Sequence, residues 1–600
     1  MRNTNRFYGK VLTLFVFFTF IANSFPLHAQ NVVTSDDLSG GFVFRTSAKS
    51  VQKKVVAKAS SNVKRVKTKI VDTAKRIRKQ TVTVAKVQPK RIKTKEVDPT
   101  ILVTDKTINR KPPGETAKIF AGAGEVYLNT GEVDKAVEIF REATILDSKN
   151  VNAKHGFSEA LTRKGDLLLE NDVPTTARAY YQEALKYDEN NAGAYAGLGE
   201  VYELTNESDK AFESYKKALD LDPNLTEIYT SLGILYYQKG NIADADTFIT
   251  KASVTSSDNA ETQFFVGLVR FKQNKMNEAI AAFQKAVKID PNYSEAFYYL
   301  GEANDQLGKN AEAIAAYREA VRINPKYTEA WFDLGVAYYN GDKFDDAVTA
   351  YKQAIALNNT FGEAYSNLGD VYRQLNKFDE AVTAYRSATA FVKDDSELYT
   401  NFGLVASRIA LNPARRSFWN VAIENFKKAS EMKPDYINNS NLGWAYLNSA
   451  QMDFAYNNKP EATTKLQLAK PVLLEAVKLN DKFAASYLNL GMVQSDLGET
   501  KEAIESLKRA NELRKDWLPA LNELGLAYRN ANDFDNAVKQ FKRALEIDEN
   551  FFGAIYNLGE TEFQRKNMGE VKKAYQKLLK LGKNQLALRL EILTQGAVKR

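Results

Sequence analysis

Side chains able to do covalent or metal chemistry are scarce in this 600-residue sequence, which holds two histidines, His28 and His155, and no cysteine. A thiolate nucleophile, a disulfide or a cysteine-based metal cluster therefore cannot be assembled. With His28 in an N-terminal stretch that reads as a removable leader, His155 is left without a histidine or cysteine partner, and neither a Ser/His/Asp site nor a histidine metal site is expected. The run "GAGEVY", Gly122 to Tyr127, has two glycines of a dinucleotide loop but lacks the third and lies inside a helical pattern. With 74 Asp and Glu in the chain, a pair of carboxylates is no signature of acid–base work. The sequence leads us to expect no enzyme, no catalytic residue, no metal and no cofactor.

What remains is the chemistry of recognition, carried by amides, rings and cations. Asn367, Asn401, Asn441, Asn489 and Asn557 are spaced amides, and an amide both donates and accepts. Such a ladder can bind the main chain of an extended peptide whatever its side chains. Tyr237, Phe264, Phe271, Tyr298, Phe332 and Tyr339 offer rings to the apolar side chains of a partner. Lys53, Lys54, Lys64, Arg65, Lys67, Lys69, Lys75, Arg76, Arg78 and Lys79 form a cationic run suited to a polyanion.

The elements that position these residues repeat. "AFQKAVKIDPNY" from Ala282 returns 34 residues later as "AYREAVRINPKY" from Ala316. Within Thr328 to Phe361, Trp331, Leu334, Gly335 and Tyr338 share one helical face, and Ala347, Tyr351 and Ala354 share the face of a second helix. Small residues at positions 8 and 20 let the two helices approach, and a proline at position 32, as in Pro223, Pro291, Pro325 and Pro434, ends the second. Thirteen copies start near 117, 151, 192, 226, 260, 294, 328, 362, 396, 436, 484, 518 and 552, with about 7, 7 and 14 extra residues between the helices of repeats 2, 9 and 10.

This pattern resembles the tetratricopeptide repeat (TPR). The resemblance implies an all-α fold, a right-handed α-solenoid superhelix of about 13 helix-turn-helix repeats, in which the first helices line the concave side. Positions 2, 5, 6, 9, 12 and 13 then face a ligand. The asparagines stand at position 6 and the aromatics at positions 5 and 12, and TPR segments of O-linked N-acetylglucosamine transferases are similar in using an asparagine ladder. Position 2 carries Glu227, Glu261, Glu295, Glu329, Glu363 and Glu397, acids that suit the start of a helix, with an acidic rim attracting basic segments as the alternative, and Ser294, Thr328 and Ser396 beside them read as caps. After the last repeat, "QLALRLEILTQGAVKR" places Leu586, Leu590 and Leu593 on one stripe, as a capping helix would.

Ahead of the array, Arg2, Arg6 and Lys10, the apolar "VLTLFVFFTFIANSF" and Ala29 read as a secretory signal over 1–29, with an uncleaved anchor as the alternative. A short linker, 30–48, leads to a basic low-complexity arm, 49–95, holding 17 Lys and Arg against Asp72 alone. A linker, 96–116, contains prolines that stop regular structure ahead of Thr116; the array runs 117–584 and the capping helix 585–600. The expected function is a noncatalytic scaffold, exported to a periplasmic or extracellular location and bacterial by analogy. It binds protein or peptide ligands in the groove, without nucleic acid. The alternative makes the arm the binding part, attached to an anionic envelope polymer or membrane surface, and the array a spacer.

Overall fold

A computed structural model describes residues 111–599. The expected leader and basic arm lie outside the described residues. Among the described residues, twenty-seven α-helices and one short 3-10 turn run from Pro113–Thr130 to Asn584–Leu593 with no strand; they make twelve antiparallel pairs and a closing helix, the helices Thr328–Asn340 and Phe344–Leu357 standing at the boundary between two units. The chain falls into two units, 111–337 and 338–599, whose boundary lies in the helix Thr328–Asn340. Each unit is an α-solenoid, a row of hairpins in which every helix pair packs on its neighbours in sequence. The first helix of each repeat is labelled A and the second B.

The pairing rule is steric. Gly124 faces Phe140, Gly199 faces Tyr215, Gly267 faces Phe283, Gly301 faces Tyr317 and Gly525 faces Phe541, always sixteen residues apart, and a Cβ on any of these glycines would fall within 2.7 Å of the ring. The glycine of "GAGEVY" thus makes room for a ring. At the turn between A and B the chain passes through left-handed backbone, as at Gly131 (φ 81°), Gly240 (φ 79°) and Asn376 (φ 56°), which Gly and Asn adopt at least cost.

Several boundaries differ from the sequence expectation. Pro112 and Pro113 open the first helix rather than stopping structure, because a proline at the first helical position gives up an N–H that has no partner there anyway. Thr116 lies buried inside that first turn. Ser294, Thr328 and Ser396 are the first helical residues and not the caps; before Ser396 it is the Asp395 carboxylate that accepts from the N–H groups of Glu397 and Leu398.

The extra residues of repeat 2 do not sit between its helices. They lengthen the start of the A helix Val151–Glu170, so that Gly165, not Ser158, faces Tyr181 and the spacing of sixteen is kept. Ser158 instead donates from its hydroxyl to the carbonyl of Ala184 at 2.9 Å. In repeat 10 both helices grow, to Tyr436–Ala455 and Lys459–Leu479. In repeat 9 the insertion forms a 3-10 turn at Pro413–Arg415. The closing helix buries Leu586, Ala587 and Leu590 but leaves Leu593 exposed, and Val598, beyond its end, packs into the same cluster.

Candidate recognition surfaces

Within each unit the A helices of successive repeats pack on one another, whereas successive B helices come less close. A stack that is crowded on one layer and spread on the other curves toward the crowded side. The A helices therefore form the inner layer, and position 6 lies on it.

In the 338–599 unit that layer carries the asparagines. Asn367 is half-buried and donates to the Tyr351 hydroxyl at 3.3 Å. Asn401 donates to the Asp370 carboxylate at 3.0 Å, which also accepts from the Tyr385 hydroxyl at 2.7 Å. Asn557 donates to Asn522 at 2.9 Å. Against these paired donors stand unpaired atoms: Oδ1 of Asn401 and Asn557, both polar atoms of Asn441, and Nδ2 of Asn489 have no partner among the described residues. Asn401, Asn441, Asn489 and Asn557 are at most 4% exposed. The hydroxyls of Ser440 and Ser486, on the same two A helices as Asn441 and Asn489, are likewise buried and unpaired.

An amide left so costs about 1–3 kcal/mol of desolvation. Nothing in the sequence distinguished these amides from solvent-facing ones. The nearest signal was the small Ser440 beside Asn441, which leaves room but fills none of it.

In the 111–337 unit the aromatics divide by position. Phe264, Tyr298 and Phe332, at position 5, are buried between repeats. Phe264 packs on Tyr293 and Phe283, and Tyr298 on Tyr327 and Tyr317, with its hydroxyl donating to Asp333 at 2.8 Å. Tyr237 and Phe271, at position 12, are half-buried, as is Tyr339 in the other unit, which accepts from Gln374 at 3.3 Å. Position 12 presents rings to the inner side while position 5 spends them on packing.

The same inner layer holds carboxylates, Glu261 of the position 2 row and three more that sequence reasoning passed over. Burial pushes Glu203 up to about 7, against the hydrogen bond it accepts from Tyr215 at 2.6 Å. Burial, with the Glu203 charge, pushes Glu261 up to about 8. Glu302 is raised to about 8 by burial and then by Asp333 and Asp305, with Lys272 opposing, and burial also raises Asp305. Their signal was the pair of acids at positions 9 and 12 in repeats 3 and 6, Glu200 with Glu203 and Glu302 with Asp305.

His155 meets Asp188 at 2.7 Å on an exposed face, and no group of three or more metal-ligating side chains occurs among the described residues. No described helix is long and apolar enough to cross a membrane.

Family models described as tetratricopeptide repeat match residues 117–150, 230–294, 267–328, 306–351, 329–396, 484–516 and 519–551, and one described as TPR repeat matches 204–240. No curated protein matches the chain. Among solved structures, the crystal structure of MamA protein is 30% identical, covering 28% of this chain and 92% of that one with a TM-score of 0.26. The APC/C hetero-tetramer Cut9-Hcn1 is 17% identical, covering 73% and 95% with a TM-score of 0.29. YrrB, titled a TPR protein with an unusual peptide-binding site, is 16% identical, covering 40% and 96% with a TM-score of 0.25.

Proposed function

Because this chain belongs to the tetratricopeptide repeat proteins, we propose that it is a noncatalytic scaffold that binds an extended peptide or a segment of a partner protein along its inner A-helix layer. The observation that supports this reading is the set of buried, unpaired polar atoms on Asn401, Asn441, Asn489 and Asn557. A peptide main chain carries one N–H and one C=O per residue, the two groups these amides lack. Threading a strand along them replaces a desolvation cost with hydrogen bonds. Each repeat contacts only its neighbours, so the opening needed to admit the strand is shared over several interfaces rather than taken at one.

An exported location, periplasmic or extracellular, is part of this reading and rests on the N-terminal leader. A second reading rests on the 17 Lys and Arg between residues 49 and 95, which suit an anionic envelope polymer or membrane surface.

The two roles open to the ladder, binding and packing, separate in the double variant Asn441→Leu/Asn489→Leu of the full chain. If the amides serve a ligand, removing buried unpaired groups raises the unfolding midpoint or leaves it unchanged, while retention on an array of extended peptides falls at least tenfold. Lower stability with unchanged retention would assign them to the fold alone.

A further inference from the structure

The inner layer of the 111–337 unit has a chemistry of its own, one that calls for cations. Residues 111–337 hold 24 Lys and Arg against 35 Asp and Glu, net −11, while residues 338–600 hold 36 against 33, net +3. The arm at 49–95, with 17 against one, is net +16. Negative charge to match the arm is thus confined to the unit beside it in the chain.

Within that unit the acids are concentrated where they cost most. Glu261 and Glu302 have neither an ion pair nor a hydrogen bond among the described residues, and both are half-buried with protein crowded around their carboxyl groups. Glu261, in repeat 5, feels the charge of Glu203, two repeats away, and Tyr237, in repeat 4, feels that of Glu302 in repeat 6. The inner layer therefore draws together like charges from non-adjacent repeats. Among the described residues, Lys272 is the one cation acting on Glu302, and none acts on Glu203 or Glu261. Crowded carboxylates gathered in this way are unfavourable until a cation reaches them. The half-buried rings of Tyr237 and Phe271 lie on the same layer and add faces on which an ammonium or guanidinium can rest.

We propose that the inner surface of repeats 3 to 6, around Glu203, Glu261, Glu302 and Asp305, is the docking site of the chain's own basic segment, residues 49–95. Two arguments select this occupant over other basic peptides. Its charge is the complement of the unit's, and residues 96–110 tether it: fifteen residues reach at most about 50 Å, and a tether of that kind raises the local concentration to the order of millimolar. Docking is thereby favoured in a single molecule at any protein concentration. The site is separate from the amide ladder, so this inference can fail while the ladder still binds peptide, and the reverse.

Carbodiimide coupling of the full chain, followed by mass spectrometry, tests the proposal, because it joins only a lysine and a carboxylate already in contact. Amide links from Lys64, Lys67, Lys69 or Lys75 to Glu203, Glu261 or Glu302 are expected, within one chain when isotopically light and heavy copies are mixed, and at least fivefold fewer in 0.5 M NaCl. The full-chain variant Glu203→Gln/Glu261→Gln/Glu302→Gln is expected to lose protection of the arm against trypsin. Links spread without preference over both units, or found only between light and heavy copies, would overturn the proposal. If the triple variant fails to fold, the link map of the unaltered chain decides alone.

Discussion

At the scale of single residues, the chain places polar groups where little water reaches and leaves part of their bonding capacity unused. Glu302 shows what that costs. Its carboxyl is held at about 8 against an ordinary 4.5, by burial first and by Asp333 and Asp305 next, with Lys272 opposing. A raised pKa in the fold means that stability is full below about pH 4.5 and is lost as pH rises through 8. Glu302→Gln should therefore match the parent chain at pH 5 and exceed it at pH 9. The expected difference is on the order of 1–2 kcal/mol, since water in the trough screens part of the effect. Urea unfolding at both pH values in 0.5 M NaCl, where the basic arm is screened, measures it, and parallel curves for the two proteins would refute it. Residue identity was legible in the sequence here, but environment was not. Asn401 and Asn441 share a position in the repeat, yet one donates to Asp370 and the other bonds to nothing among the described residues, a difference made by neighbours from other helices.

At the scale of elements, the hairpin is fixed by a glycine and a ring sixteen residues apart. A Cβ at position 267 would sit 2.4 Å from the Phe283 ring, so Gly267→Ala should destabilise the chain by about 1–3 kcal/mol. Because the loss comes from one contact, Phe283→Leu should cost less in the Gly267→Ala background than alone. Additive losses in a double-mutant cycle would place the strain elsewhere. This spacing was legible because steric fit recurs from copy to copy, and the helix pairs follow from it. The insertions were legible only in length. Seven extra residues fit at the start of an A helix in repeat 2 as well as between helices, and only the match of Gly165 to Tyr181 decides the case. The cap of repeat 9 shifted by one residue because one carboxylate oxygen of Asp395 accepts from the N–H groups of both Glu397 and Leu398.

At the scale of the whole molecule, an acidic unit, a near-neutral unit and a basic arm share one chain, and repetition turns single side chains into rows. The all-α architecture could be read from the 34-residue echo. The buried state of the rows could not, because it depends on how closely the A helices crowd.

The most direct test puts a photocrosslinking residue in turn at Phe271, at Asn367 and at Lys64 of the full chain in its native cells and sequences the captured segments. Phe271 and Asn367, both half-buried on the inner layer, are expected to capture extended segments of partner proteins. Capture from Lys64 alone, or turnover of a substrate by the purified chain, would contradict a scaffold that binds along its A helices.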